Sequence, residues 1–165
     1  MFRFSSGILR IEIDLEMSHQ HFNSKDQKQI MSNHVATVQG IYEAFGRGDI
    51  PAILDQLADD VRWNDHPYNQ DTRAGVPWLE LFLGKENIPG FFQIVGGMGI
   101  TDFQVVSLMS GGNKVAAEVH CTVKTPGEPG HFKDLEIHLW TFGDDGKVTN
   151  FAQILDTAKQ IASLK

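Results

Sequence analysis

The chain has 165 residues, of which 14 are basic and 21 are acidic, and its formal net charge is −7 at pH 7. Nucleic acids and anionic membranes bind basic surfaces, so this balance argues against both as partners. The single cysteine, Cys121, excludes an internal disulfide and a multi-cysteine zinc site. No apolar run reaches the length of a signal peptide or of a membrane span. We therefore expect a globular cytoplasmic protein.

Residues 1–31 are predicted to form an extension that precedes the main domain. Ile11, Ile13, Leu15 and Met17 alternate with charged residues, which is the pattern of a half-buried strand. Residues 18–28 are polar and typical of a linker. We expect a flexible or loosely attached arm, followed by one domain over residues 32–165.

Helices are predicted in the first part of this domain. A first helix begins at residue 32 or 33 and ends at the glycines near residue 47. A second helix begins after Asp49, with Pro51 in its first turn, and is closed by Asp59 and Asp60. A third helix runs from residue 86 or 87 to about Val95.

Strands are predicted in the second part. A short strand begins at residue 61, and four longer β-rich segments cover residues 101–110, 114–124, 133–142 and 147–155. The sequences GGN and GDDG between them are hairpin turn signals. Helices followed by an antiparallel meander indicate the α+β class.

Three separated motifs accompany this order of elements: VQGIYEAFGRGD followed by LADDV and WND, FLGKENI followed by GFF, and HLWTFGDDGK. With these motifs the chain resembles the nuclear transport factor 2-like superfamily, and within it the SnoaL-like branch of polyketide cyclases and ketosteroid isomerase-like proteins. The resemblance implies a cone-shaped fold, in which a curved antiparallel β-sheet wraps around the N-terminal helices and leaves a central cavity. Because one fold hosts many functions, the resemblance does not name a reaction.

Asp65 is the first candidate for catalysis. It follows the short strand, close to Trp63, and a carboxylate among apolar walls is a better general base because its charged form is disfavoured. The resemblance places Asp65 where ketosteroid isomerases keep their proton-shuttling aspartate. The alternative is an aspartate that stabilises a turn through backbone N–H groups.

His138 is the second candidate. Glu136, His138 and Trp140 share one face of a predicted strand, and a histidine among apolar neighbours can donate to an enolate oxygen or relay a proton. The resemblance places His138 where ketosteroid isomerases keep an oxyanion-hole aspartate, and the alternative is a core histidine with a satisfied hydrogen bond. If the strands pair through the loop at 126–130, we expect His120 to share this face and to act with His138. The spacing of these residues matches no metal-ligand motif, so no metal site is predicted.

Four further residues are expected to contact a ligand. Trp63, Trp140 and Phe92 are predicted to line the cavity and to exclude water. In SnoaL-like proteins an acid at the end of the last strand helps to line or cap the cavity, and Asp156 stands at that place. The alternative is that Asp156 caps the helix that follows it.

These observations predict a SnoaL-like enzyme that needs no cofactor and removes a proton next to the carbonyl of a small apolar substrate, with isomerisation, cyclisation or dehydration as the result. The alternative is a non-catalytic domain that binds a small ligand in the same cavity. In ketosteroid isomerases a first-helix tyrosine donates to the steroid oxygen. That residue aligns with Ile41, and the adjacent Tyr42 is expected to point elsewhere.

The other face of the same strand, with Leu135, Ile137 and Leu139, is expected to pack against a second copy of the chain. Dimers are frequent in the resembling family, so we expect a homodimer through the sheet.

Overall fold

The computed structural model describes residues 24–66, 68, 73, 75–125 and 131–164. The predicted strand at residues 11–17 lies outside the described residues. The helices are α1 (Ser24–Arg47), α2 (Ile50–Leu54), α3 (Ile88–Gly96) and α4 (Thr157–Ala162). The strands are β1 (Leu57–Trp63), β2 (Phe82–Leu83), β3 (Gly99–Gly111), β4 (Lys114–Lys124), β5 (His131–Phe142) and β6 (Val148–Ile154).

The six strands form one sheet in the order β2-β1-β6-β5-β4-β3. The β1–β6 pair is parallel, and every other neighbouring pair is antiparallel. The sheet is curled but does not close, and the N-terminal helices lie in front of it. The predicted α+β class and the curved sheet are confirmed.

The core lies between the concave face of the sheet and the helices. Alternate residues of β4 and β5 are buried, because successive side chains of a strand point to opposite faces. The buried apolar side chains of the sheet pack against Val38, Ile41 and Ala44 of α1 and against Phe91 of α3. None of the helices in the described part of the chain is long and apolar enough to cross a membrane.

The first helix begins earlier than predicted. It starts at Ser24, so residues 24–28, which were expected to belong to a linker, are helical. This polar turn consists mostly of good helix formers, and the Gln29 side chain donates to the side chain of Asn33 one turn later at 2.9 Å. A polar composition therefore concealed the solvent-exposed start of a helix.

The first strand also begins earlier than predicted. Asp59 and Asp60 lie within β1 and do not close the preceding helix. Pairing with β6 extends the strand back to Leu57, which lies opposite Val148. Tertiary pairing here overrides the low strand propensity of aspartate, and the two carboxylates remain exposed to solvent.

Candidate active site

A cavity of about 90 Å3 lies between the concave face of the sheet and helices α1 and α3. Aromatic rings form about half of its lining and contact one another, with Trp63 packed against Phe151 and edge-on to Trp140. The other aromatic residues of the lining are Tyr42, Phe45, Trp78, Phe91, Phe92, Phe103 and Phe132. The polar groups that line it, Glu136, His138, Gln153 and Gln160, come from β5, β6 and α4. An apolar pocket with a few convergent polar groups is the usual form of a small-molecule site.

A chain of hydrogen bonds runs through this wall and is centred on His138. The Nδ1 atom of His138 lies 2.9 Å from the hydroxyl of Tyr42, and the Nε2 atom lies 3.0 Å from Oε2 of Glu136. The indole N–H of Trp140 donates to the Tyr42 hydroxyl oxygen at 3.2 Å. The side chains of His138 and Glu136 are both buried, so these bonds lie in a region of low dielectric.

The partners determine which nitrogen of His138 carries the proton. Burial disfavours the Glu136 carboxylate, but the hydrogen bond and electrostatic attraction of His138, together with hydrogen bonds from Cys121 and Gln160, hold the pKa of Glu136 below its usual value. An ionised carboxylate only accepts, so Nε2–H of His138 donates to Glu136. In a neutral imidazole the other nitrogen is then an acceptor, and Nδ1 accepts from the Tyr42 hydroxyl.

Glu136 is held from three sides. Besides His138, the amide of Gln160 donates to Oε1 at 3.0 Å and the thiol of Cys121 donates to the same atom at 3.5 Å. Burial and the nearby Glu136 raise the pKa of Cys121, so the thiol stays protonated and acts as a donor. The carboxylate is therefore fixed as the acceptor end of the chain that begins at Tyr42.

A comparison with known protein families identifies the family of this chain. The SnoaL-like domain pattern matches residues 38–151. The chain belongs to the SnoaL-like domain family. The sequence matches no curated protein at a significant level.

Solved structures agree with this assignment and show the cone fold of nuclear transport factor 2-like proteins. An NTF2-like protein of unknown function from Burkholderia pseudomallei is 28% identical, with 82% of this chain and 99% of that chain covered and a TM-score of 0.66. A candidate polyketide cyclase from Xanthomonas campestris is 23% identical, with coverages of 82% and 99% and a TM-score of 0.57. An LEH-like epoxide hydrolase from Mycobacterium tuberculosis is 14% identical, with coverages of 81% and 90% and a TM-score of 0.59. At these two lower identities the likeness shows the fold alone.

The structure brings four of the predicted site residues of this SnoaL-like domain to the cavity. They are His138, Trp63, Trp140 and Phe92. Their roles in catalysis and binding stay predictions.

Tyr42 is the main correction. It was expected to point away, yet its ring lines the cavity and its hydroxyl reaches His138. Ile41 lines the cavity as well, because the cavity covers an arc of α1 wide enough for two successive residues. A tyrosine hydroxyl therefore does enter the cavity from α1, one residue beyond the position that the resemblance indicated.

Asp65 lies apart from this network. Its Oδ2 accepts from Nε of Arg62 at 2.6 Å and from the Asn150 side chain at 3.3 Å, and it is not among the residues that line the cavity. The partly exposed ion pair satisfies its carboxylate. Its role as a general base stays a prediction.

His120 does not share a face with His138, and that expectation is wrong. In the observed register Ala117 lies opposite His138, and His120 lies opposite Leu135 on the convex face. The prediction set His120 opposite His138, three residues away from its observed partner, and an offset by an odd number of residues moves a side chain to the other face of a sheet. The His120 side chain is 46% exposed and contacts Glu118 at 3.1 Å, so it is separated from the cavity by the sheet.

Asp156 caps α4. Its side chain accepts from the backbone N–H of Lys159 at 3.0 Å, as the alternative interpretation of this residue predicted. It is not part of the cavity lining. Among the described residues no three histidine, cysteine or acidic side chains are grouped as metal ligands would be.

Glu136, Gln153 and Gln160 were not singled out as site residues. A signal for Glu136 was present, because it shares the strand face of His138 and Trp140. Gln160 carries no such signal, since it comes from a short helix that is distant from β5 in the sequence.

Proposed function

We propose that this SnoaL-like domain is an enzyme that removes and returns a proton next to the carbonyl of a small, uncharged, apolar substrate. The observation that supports it is the buried chain Tyr42–His138–Glu136, which opens on an aromatic cavity. Acid/base groups in apolar, water-excluding surroundings are typical of proton-transfer sites. Side chains suffice for this chemistry, so we expect no cofactor.

The proposed step uses the tautomer described above. The α-proton of a bound ketone passes to the Tyr42 oxygen while the Tyr42 proton moves to Nδ1 of His138, which leaves an enolate and an imidazolium. Ionised Glu136 stabilises the imidazolium, and the Trp140 N–H supports the Tyr42 oxygen. Burial raises the pKa of Tyr42, so tyrosinate does not accumulate and Tyr42 relays the proton. The reverse transfer protonates a different atom of the enolate and completes an isomerisation.

The site favours an uncharged substrate of compact size. The ionised Glu136 would repel an anion, and apolar side chains cover most of the wall. The cavity of about 90 Å3 is small compared with the usual range of ligand pockets, so a substrate larger than one or two rings requires partly buried side chains such as Phe92 to move.

The test is deuterium incorporation at the α-carbon of compact ketones in D2O, followed by proton NMR, with 2-indanone as the first probe. We expect the wild-type protein to accelerate the exchange and His138→Gln to lower it by about two orders of magnitude. His120→Gln is the matched control, since it changes a histidine on the opposite face of the same sheet, and it retains the wild-type rate.

Two results would contradict the proposal. Ketone binding with exchange at the buffer rate would favour the non-catalytic ligand-binding alternative. Loss of exchange in Asp65→Asn with full activity in His138→Gln would return the base role to Asp65.

We also propose that the convex face of the sheet pairs two copies of the chain. Leu135, Ile154 and Met109 expose much of their apolar side chains there. Leu135, Ile137 and Ile154 share this face of the β5–β6 pair, where Ile137 lies opposite Ile154. Exposed apolar groups that are contiguous on a surface are typical of interfaces.

A further inference from the structure

The α4 helix reaches the proposed active site through one side chain. Gln160 is almost fully buried, and its amide nitrogen lies 3.0 Å from Oε1 of Glu136 and 3.4 Å from Oδ2 of Asp134. The amide oxygen accepts from the indole N–H of Trp78 at 2.5 Å. Because Trp78 can only donate and the carboxylates accept, the orientation of the Gln160 amide is determined without ambiguity.

The contact between Gln160 and Glu136 affects how Glu136 is oriented towards His138. Oε1 of Glu136 is held by Gln160 and Cys121, and this leaves Oε2 directed at Nε2 of His138. A carboxylate that accepts from the second nitrogen of a histidine fixes both the tautomer and the ring orientation. We propose that Gln160 is a positioning residue, which aligns Glu136 with His138 and thereby keeps the lone pair of Nδ1 directed at Tyr42. Its importance for turnover rests on the proposed function, whereas its effect on the tautomer does not.

Other charged and titratable groups around Glu136 do not replace this contact. Asp134 on the same strand is paired with Lys159 at 2.8 Å, and the buried Arg73 acts on Glu136 through its charge while its own guanidinium donates to the Gln153 carbonyl. Cys121 from β4 is a weak donor, and Tyr42 from α1 contacts the far side of His138. Gln160 is thus the strong neutral donor that holds the distal oxygen of Glu136.

The test is the tautomer of His138 in protein labelled with 15N-histidine, read from two-bond 1H–15N correlation spectra. The His138 signals are assigned by their loss in His138→Gln. We expect the Nε2–H form alone in the wild type and a mixture that includes the Nδ1–H form in Gln160→Met. Trp78→Phe removes the N–H that holds the amide oxygen, so we expect the same change to a smaller extent.

Ser163→Ala is the matched control for a loss of helix stability. It removes the 2.7 Å bond from the Ser163 hydroxyl to the Gln160 carbonyl but leaves the amide side chain in place. We expect the wild-type tautomer in this variant. An unchanged tautomer in both Gln160→Met and Trp78→Phe, or the same mixture in Ser163→Ala, would overturn the positioning role.

The exchange reaction supplies the second measurement. In Gln160→Met we expect a rate about tenfold lower, the effect of one lost hydrogen bond to a charged group. The acidic limb of the pH profile moves to higher pH, because the bond from Gln160 lowers the pKa of Glu136.

A changed tautomer in a protein whose wild type shows no exchange leaves the positioning role standing and refutes the proposed function. A tenfold loss of rate with an unchanged tautomer refutes the positioning role alone.

Discussion

At the scale of single residues, the hydroxyl of Tyr42 links the side chains of His138 and Trp140. The hydroxyl donates to Nδ1 of His138, and its oxygen accepts from the indole N–H of Trp140. Both of those residues are buried, so removal of the hydroxyl takes away the hydrogen-bond partner of two buried polar atoms. The same hydroxyl is the group we expect to exchange protons with the substrate.

The variant Tyr42→Phe tests this double role. We expect a loss of about 2–4 kcal/mol in the free energy of unfolding, from two unsatisfied buried groups at 1–3 kcal/mol each with partial relaxation, and a loss of ketone exchange. Urea denaturation and the exchange assay measure the two effects. Tyr68→Phe is the natural control, because Tyr68 is 93% exposed and is the second of the two tyrosines in the chain. Equal free energies of unfolding for Tyr42→Phe and Tyr68→Phe would contradict the two hydrogen bonds assigned to the Tyr42 hydroxyl.

At the scale of elements, α1 is docked on the sheet partly through a histidine. The ring of His34 is buried and stacks on Phe142 at the end of β5, with centroids 4.1 Å apart and planes 8° from parallel. Burial lowers the pKa of His34, since the charged ring would lose its hydration. The docking of α1 therefore depends on a neutral imidazole.

This arrangement predicts a pH-dependent stability. Below a pH of about 6.5 the unfolded chain binds a proton at His34 that the folded protein does not, so stability is lost as the pH falls from there towards the folded pKa. His34→Phe preserves the stack and removes the titration. We expect its free energy of unfolding to depend less on pH between pH 7 and 5 than that of the wild type. Equal slopes for the wild type and His34→Phe would refute the prediction.

At the scale of the whole molecule, the sheet separates two surfaces for which we propose different roles. Its concave face carries the cavity and the buried acid/base chain, and its convex face carries the exposed apolar residues proposed to pair two copies. A two-fold contact on the convex face leaves both cavities open to ligand. Assembly and ligand binding are therefore expected to be independent.

Sedimentation velocity at micromolar concentration tests the assembly. We expect the wild type to sediment as a dimer and Leu135→Lys as a monomer, because the lysine buries a charge in the proposed interface. Leu83→Lys is the control: Leu83 is 49% exposed, close to the 53% of Leu135, but it lies on β2 at the far edge of the sheet. A monomeric wild type, or a monomeric Leu83→Lys variant, would count against the convex face as the interface.

The sequence by itself determined the class of the fold and much of the cavity wall. Hairpin turns, strand alternation and helical periodicity are local signals, and they are consistent with one another in this chain. The alternation on β5 placed Glu136, His138 and Trp140 on one face, because side chains two residues apart on a strand always share a face. The family motifs added the cone shape and the place of the cavity.

Tertiary structure alone decided which of these groups act together. The register of β4 against β5 put His120 on the convex face, and no local pattern specifies a register to one residue. The orientation of α1 about its own axis places Tyr42 against His138, and the packing of α4 against the sheet places Gln160 against Glu136. Each contact joins residues that are far apart in the chain or on different elements, so it depends on how those elements pack. The acid/base chain of this protein is for that reason a product of packing more than of any motif.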